Sequence, residues 1–527
     1  MNRTIFTNGI IHTLDHRFPI CEAIVVENGR IVDVGTYKDM DLQWGRSGIT
    51  YVDLEGKTAS PGLIDSHLHM SGLALFYLDL DLTGVTSKAA MLDMIREKAN
   101  SLSEGEWLLG MGWDENLFGD GGIPTLEELD AVAPHCPLYL KRTCHHAFLV
   151  NSQAMEISGC DKSESPNVVR DPETGKPTGL LLEGAANLVT PYIPERTYDE
   201  MKGALGQAMK FAVSKGLTSV HTNDPLYLGG FEQTYRMYDE LLNGGEHALR
   251  CNLLIDYPFL QEMTARNMKT GYGNDTLKIG AVKMFADGAF GRRTALLSAP
   301  YSDDPGHYGE AIQEEEELLS MFKAVREAGM PVAVHTIGDQ ALDMVLGALA
   351  EFPAVAYRDR IIHTSLIRDD LVGKMAAANI IADIQPRFLA GDFPWIQQRL
   401  GEARIKDLYA WKTLLSAGIL CAGGSDAPVE PVDPLLGIHA AVTRRSPGER
   451  HGGWNEGQKL SMFEALRLFT IGGAYATNEE DVKGTLSPGK MADMTVYSKD
   501  ILKLEDPDEL LDTEIDMTVI GGNIQNI

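Results

Sequence analysis

Cysteine is scarce in this chain, and so are positive charge and long apolar runs. The six cysteines, Cys21, Cys136, Cys144, Cys160, Cys251 and Cys421, form no CxxC pair in 527 residues. That excludes a dense disulfide framework and fits a reducing compartment. Lys and Arg number 46 against 75 Asp and Glu, a formal charge of -29 with a pI near 4.8. A phosphate backbone would be repelled by so acidic a surface, so no nucleic-acid partner is expected. No stretch approaches the roughly 18 apolar residues needed to cross a bilayer. The start MNRTIFTNGIIHTLDHRFPI has too few consecutive apolar residues for a signal peptide. The expectation is a cytoplasmic globular protein without a membrane partner. With 44% hydrophobic residues, it can bury a large core and hold more than one structural unit.

What is present centres on PGLIDSHLHM, residues 61 to 70, where an apolar run ends in two histidines one residue apart. In an extended strand, positions i and i+2 share a face, so His67 and His69 project together as half of a metal site. Asp65 and Ser66 offer polar groups to orient them.

Residues 1 to 60 read as short strands with turns at Asn8-Gly9 and Asn28-Gly29, too little surface to fold alone. The segment from 484 to 527 has the same texture. The two termini are therefore expected to combine into one small composite β-sandwich domain. Between them, 61 to 483 alternates apolar runs with helical segments, the pattern of parallel βα units. Candidate strands at 217–223, 250–256, 278–285, 330–335, 359–365, 379–385 and 419–426, with the one reaching His67, number eight. That is the count that closes a TIM-type (β/α)8 barrel, an α/β fold whose site gathers at the C-terminal strand ends. The interval of about 72–215 is too long for one crossover and reads as an insertion after the first strand, expected to cover the barrel mouth. The run EEEE at 314–317 reads as the charged first turn of a helix.

Five of the proposed strands end in a potential ligand: His67 with His69, Lys283, His335, His363 and Asp426. One histidine after an apolar run is more often a hydrogen-bonded structural residue. Recurrence at one edge of successive strands resists that reading. Asp426 sits in GGSDAP, where paired glycines permit close backbone approach, although a capping aspartate is the plainer alternative. For Lys283 the plainer alternative is an ion pair with Asp287.

The order HxH, Lys, His, His, Asp resembles that of the amidohydrolase superfamily. The likeness extends through DSHLH at 65–69, VKMFADGAFG at 282–291, AVHTIGDQAL at 333–342, IIHTS at 361–365, GGSDAPVEPVDPL at 423–435 and LSPGKMADMTV at 486–496. HHAFLVNSQAM at 145–155 and TGLLLEGA at 178–185 are similar to the N-substituted formamide deformylase-like branch, amidohydrolase family 3. The resemblance implies that His67, His69 and Asp426 bind one metal, that His335 and His363 bind a second, and that Lys283 bridges them. An ammonium has no lone pair, so bridging implies an N-carboxylated Lys283. Histidine and carboxylate ligands suit zinc among divalent ions, one or two per chain.

The implied activity is a metal-dependent amidohydrolase of the EC 3.5 type, cleaving a non-peptide amide, N-formyl or N-acyl bond of a small-molecule substrate. A metal-activated hydroxide attacks, and Asp426 shuttles the proton. His146, Trp113 and Arg292 are candidates for substrate contact, His221 could approach the site from the second strand, and dimerisation of relatives implies a homodimer. Hydrolytic deamination and lactone or ester hydrolysis are the enzymatic alternatives. Deaminases of the superfamily carry a glutamate where HTIGDQ offers Asp339. A non-catalytic scaffold is the remaining alternative, against which all six ligand positions are present.

Overall fold

The computed structural model describes residues 3–45, 48–119, 122–143 and 146–525; Cys144 and His145 lie outside them. The chain forms two compact units, Met1–Ser71 with Met209–Ile527, and Gly72–Ala208.

The first unit holds eight parallel strands: β1 Leu63–Leu68, β2 Leu217–Asn223, β3 Arg250–Asp256, β4 Leu277–Phe285, β5 Val332–Thr336, β6 Arg360–His363, β7 Ile381–Ile384 and β8 Leu420–Gly423. Each pairs with its chain neighbour, and the sheet runs from β1 to β8 without rearrangement. Every residue of β1, β2, β6 and β7 is buried, as expected of strands covered on both faces. The helices that return the chain are apolar on one side. Phe231–Leu242 buries Phe231, Thr234, Met237, Tyr238 and Leu241, a spacing that places them on one stripe. Glu315–Glu327 opens on three glutamates and buries Leu318, Met321, Phe322 and Val325, so the acidic run does begin a helix.

Among the described residues no ladder joins β8 to β1. The seam is closed by single bonds instead: Asp426 N donates to His67 O at 2.7 Å, and His69 N to Ala427 O at 2.8 Å. Gly424 makes this approach feasible, because a Cβ there would lie 2.6 Å from His67 N.

The termini meet in a second, mixed sheet of eight strands. Its order is Asn523–Ile524, Ile515–Ile520, Met494–Tyr497, Thr58–Pro61, Arg3–His12, Ile20–Glu27, Arg30–Gly35, with Ile49–Asp53 also pairing Arg3–His12. The joint between termini is the antiparallel pair Thr58–Pro61 and Met494–Tyr497. Phe6, Ile24, Ala59, Met494, Val496 and Val519 fill the core beside it.

Two local features differ from the sequence reading. Asn28-Gly29 is a tight turn, with φ of 52° and 77°, as Asn-Gly favours. Asn8-Gly9 is not a turn: strand Arg3–His12 runs through it, and the register slips between Thr7 and Ile11, so the pair forms a bulge. The segment Tyr37–Trp44 is a helix within a region read as strands, capped by Thr36 Oγ1 accepting from Asp39 N.

The second unit is built on six strands in the order Val168–Arg170, Pro177–Leu182, Ala147–Val150, Leu138–Arg142, Leu108–Trp113, Leu80–Asp81. Its core includes Leu108, Trp113, Leu129, Leu138, Leu140 and Leu149. No helix among the described residues is long and apolar enough to cross a membrane.

Candidate functional site

The C-terminal ends of β1, β4, β5, β6 and β8 carry the histidines, lysine and aspartate singled out above. His67 lies within β1 and is fully buried; His69 follows one residue past the strand. Asp426 stands three residues beyond β8. Its carboxylate Oδ1 is 3.4 Å from Nε2 of both His67 and His69, and the ligand atoms of these three residues all lie within 4.8 Å of one another. Lys283 Nζ, in β4, is 3.4 Å from His67 Nε2. His335 and His363 stand ring to ring with centroids 4.4 Å apart, and His363 is 5.9 Å from His67. The structure thus brings all six residues to one end of the barrel.

Hydrogen bonds fix which nitrogen of two rings is free. His69 Nδ1 lies 2.7 Å from the Asn223 carbonyl and His335 Nε2 lies 3.0 Å from the Gly288 carbonyl. A carbonyl only accepts, so the proton sits on those atoms and the lone pair on the other nitrogen: Nε2 of His69 and Nδ1 of His335. Burial pushes the His67 and His335 rings well below the ordinary imidazole range and His363 down to about 4, which keeps them neutral and able to ligate. Burial likewise brings Lys283 down to about 8. Burial acts to raise Asp426, but the contact with His69 and the nearby cationic groups outweigh it and leave the carboxyl below its usual range.

The backbone is held as tightly as the side chains. Asp65, buried under the seam, accepts from His67 N at 3.1 Å and from Ser425 N at 3.1 and 3.2 Å, so one carboxylate orients both the HxH strand and the loop of Asp426. Asp287 accepts from Leu296 N, Ile337 N and Gly338 N at 2.9, 3.0 and 2.7 Å. That ties the loop after β4 to the end of β5. With Asp287 engaged in this way, no ion pair of Lys283 is found among the described residues; its ammonium instead lies 4.7 Å from the centre of the Phe285 ring.

A divalent cation fits this donor set. Asp426 Oδ1 is buried without a hydrogen-bond partner among the described residues, and it faces Nε2 of both His67 and His69. Two imidazoles and a carboxylate whose ligand atoms lie within 4.8 Å of one another, largely buried and close to neutral in sum, form a donor set that a divalent cation can occupy.

Two of the remaining sequence candidates belong to the second unit. Trp113 is 1% exposed, in the core of the second unit, and its Nε1 donates to Leu140 O at 3.1 Å. His146, also in the second unit, is bonded through Nδ1 to Glu183 Oε2 at 2.8 Å. Arg292 is exposed on the loop after β4. His221 is buried inside β2, two residues short of the strand end, with neither ring nitrogen partnered among the described residues. The carbonyls of Asn223 and Gly288 were not foreseeable, since every residue carries a carbonyl and only the fold says which one meets a histidine.

The amidohydrolase family model matches residues 50–525. The chain is 39% identical to YtcJ of Bacillus subtilis (strain 168) over 528 residues, covering 99% of each. It is 26% identical to the N-substituted formamide deformylase of Arthrobacter pascens, over 95% of this chain and 94% of that one. Among solved structures, an uncharacterized metal-dependent hydrolase from Pyrococcus horikoshii OT3 superposes with a TM-score of 0.79 at 29% identity, covering 96% of this chain and 99% of the other. With that match across nearly its whole length, and with a His-His-Asp cluster at the ends of its barrel strands, the chain belongs to amidohydrolase family 3.

Proposed function

We propose that the protein is a metal-dependent hydrolase that cleaves a non-peptide carbon-nitrogen bond, an amide of the N-formyl or N-acyl kind, in a small molecule. The observation that carries this reading is the convergence of His67, His69 and Asp426 within 4.8 Å, with Lys283 on the same histidine. The name of the Arthrobacter pascens relative supplies the bond type. His67, His69 and Asp426 would hold one divalent ion, zinc by donor type, and His335 and His363 a second, with an N-carboxylated Lys283 shared between the two. When bound, such ions lower the pKa of water toward neutrality and polarise a carbonyl.

The chain's own residues do the rest. The carbonyls of Asn223 and Gly288 hold two imidazoles in the ligating tautomer. Asp426 takes the proton of the attacking water on its second carboxylate oxygen and delivers it to the leaving amine. Burial of the site strengthens each of these charge interactions. Of the residues proposed from sequence for substrate contact, His146 and Arg292 are the ones with exposed surface.

Deamination is less well supported. Asp339 stands where deaminases carry a glutamate, and its carboxylate accepts from Ser298 N at 3.0 Å and from Arg368 Nη1 at 3.0 Å. The test is a hydrolysis screen with the zinc-loaded protein across N-formyl amines, N-acyl amino acids, aminopurines and lactones. Release of acid and amine together is the expected result. Ammonia from an aminopurine without acid would replace this reading with deamination.

A further inference from the structure

We propose that Arg360 and Asp383 are positioning residues for the candidate metal site, acting through Ser66; the inference rests on the metal-binding reading above. Ser66 immediately precedes His67, and its hydroxyl and its carbonyl are both held by this pair. Its hydroxyl donates to Asp383 Oδ1 at 2.5 Å, and its carbonyl accepts from Arg360 Nη2. Arg360 closes the triangle with Nε donating to Asp383 Oδ2 at 3.0 Å and Nη2 to the same oxygen. The three residues are at most 1% exposed.

The placement gives the triangle its significance. Ser66 is in β1, Arg360 in β6 and Asp383 in β7, and β1 has no ladder with either. The bonds therefore cross the barrel interior and join the strand of His67 to the strand of His363, whose ligand comes three residues after Arg360. Barrel interiors are ordinarily filled by branched apolar side chains. A buried ion pair suffers a desolvation penalty that an apolar pair of similar volume avoids. Arg360 Nη1 is moreover buried without a partner among the described residues. A pair poorly suited to stabilising the fold, yet fastened to the hydroxyl and the carbonyl of the residue beside His67, points to a role in setting where that histidine stands relative to His363.

The test is the double variant Arg360→Met/Asp383→Leu in the full chain, which removes one charge of each sign and leaves the net charge of the barrel interior unchanged. Zinc affinity is measured by competition with a chelating dye, and stability of the metal-free protein by chemical unfolding. The expected result is zinc binding weakened by about 10 to 100-fold in a metal-free protein that still unfolds in one cooperative transition. Ser66→Ala, which deletes only the hydroxyl, is expected to weaken zinc in the same direction by a smaller factor. A folded double variant with zinc affinity within about twofold of wild type would overturn the proposal. If the double variant fails to fold, unchanged affinity in Ser66→Ala overturns it alone. A wild-type chain that takes up no zinc would sink the metal reading and this inference together, whereas zinc uptake indifferent to both variants sinks only the inference.

Discussion

His363 and Asp426 share a property that the choice of ligand does not require: both adopt left-handed backbone, with φ of 75° and 58°, and Thr364 follows at 47°. Such conformations are unfavourable for residues with a Cβ, by roughly 1–2 kcal/mol each. Their position at two proposed ligands indicates strain held by the surrounding fold in exchange for side-chain direction. At His363 this can be isolated, because Gly and Ala both delete the imidazole and differ only in the Cβ. Metal-free His363→Gly is expected to be more stable than His363→Ala by about 0.5–1 kcal/mol in urea unfolding, after allowing for the greater freedom of glycine in the unfolded chain. An alanine variant as stable as the glycine variant would show that the backbone is not strained there. For Asp426 the prediction is chemical. Asp426→Asn keeps an oxygen for coordination but cannot carry the proton, so zinc content should persist while kcat falls by about a hundredfold or more. Unchanged turnover would remove Asp426 from its role as proton carrier.

Between elements, the barrel is fastened at its lower rim by a charged cluster at the opposite end from the site. Glu479 Oε1 accepts from Lys278, at the start of β4, at 2.5 Å. Its Oε2 is 2.8 Å from Lys483, which reaches Ser219 Oγ in β2 at 3.0 Å. Burial acts against the Glu479 carboxylate, but the two lysines overcome it and hold the acid below its ordinary range. A carboxylate depressed in the folded state contributes stability that is present above its unfolded value, near 4.5. That contribution is lost as pH falls toward the folded value. Glu479→Gln should therefore cost roughly 3 kcal/mol at pH 7, and the difference from wild type should shrink steadily as the pH of the unfolding experiment is lowered below about 4.5. A penalty that stays constant into acid would show that the loss was one of packing and not of charge. The same scale shows what the sequence could express. The barrel strands were readable as short apolar runs alternating with helical segments, and β2 and β3 fall on the expected residues. Helix Tyr37–Trp44 was not, since its short polar sequence has a weak apolar stripe and only Met40 is buried. The Asn8-Gly9 bulge carries the same residue pair as a true turn, and only the continuation of the pairing to His12 distinguishes them.

At the scale of the whole molecule, residues distant in sequence owe their meeting to closure of the barrel. The six proposed ligands could be identified in order because chain order and strand order coincide. Three parts of the site were hidden: the seam bonds of Asp65, the carbonyl partners of His69 and His335, and the triangle of Ser66, Arg360 and Asp383. The first two depend on how neighbouring strands and their loops meet, and the third on which strands face one another across the interior, relations that local pattern does not encode. The most direct measurement is anomalous diffraction at the zinc edge from crystals of the zinc-loaded full chain. The account predicts a peak bounded by Nε2 of His67, Nε2 of His69 and the carboxylate of Asp426; zinc-loaded crystals with no peak there, or with density only at surface carboxylates, would contradict it.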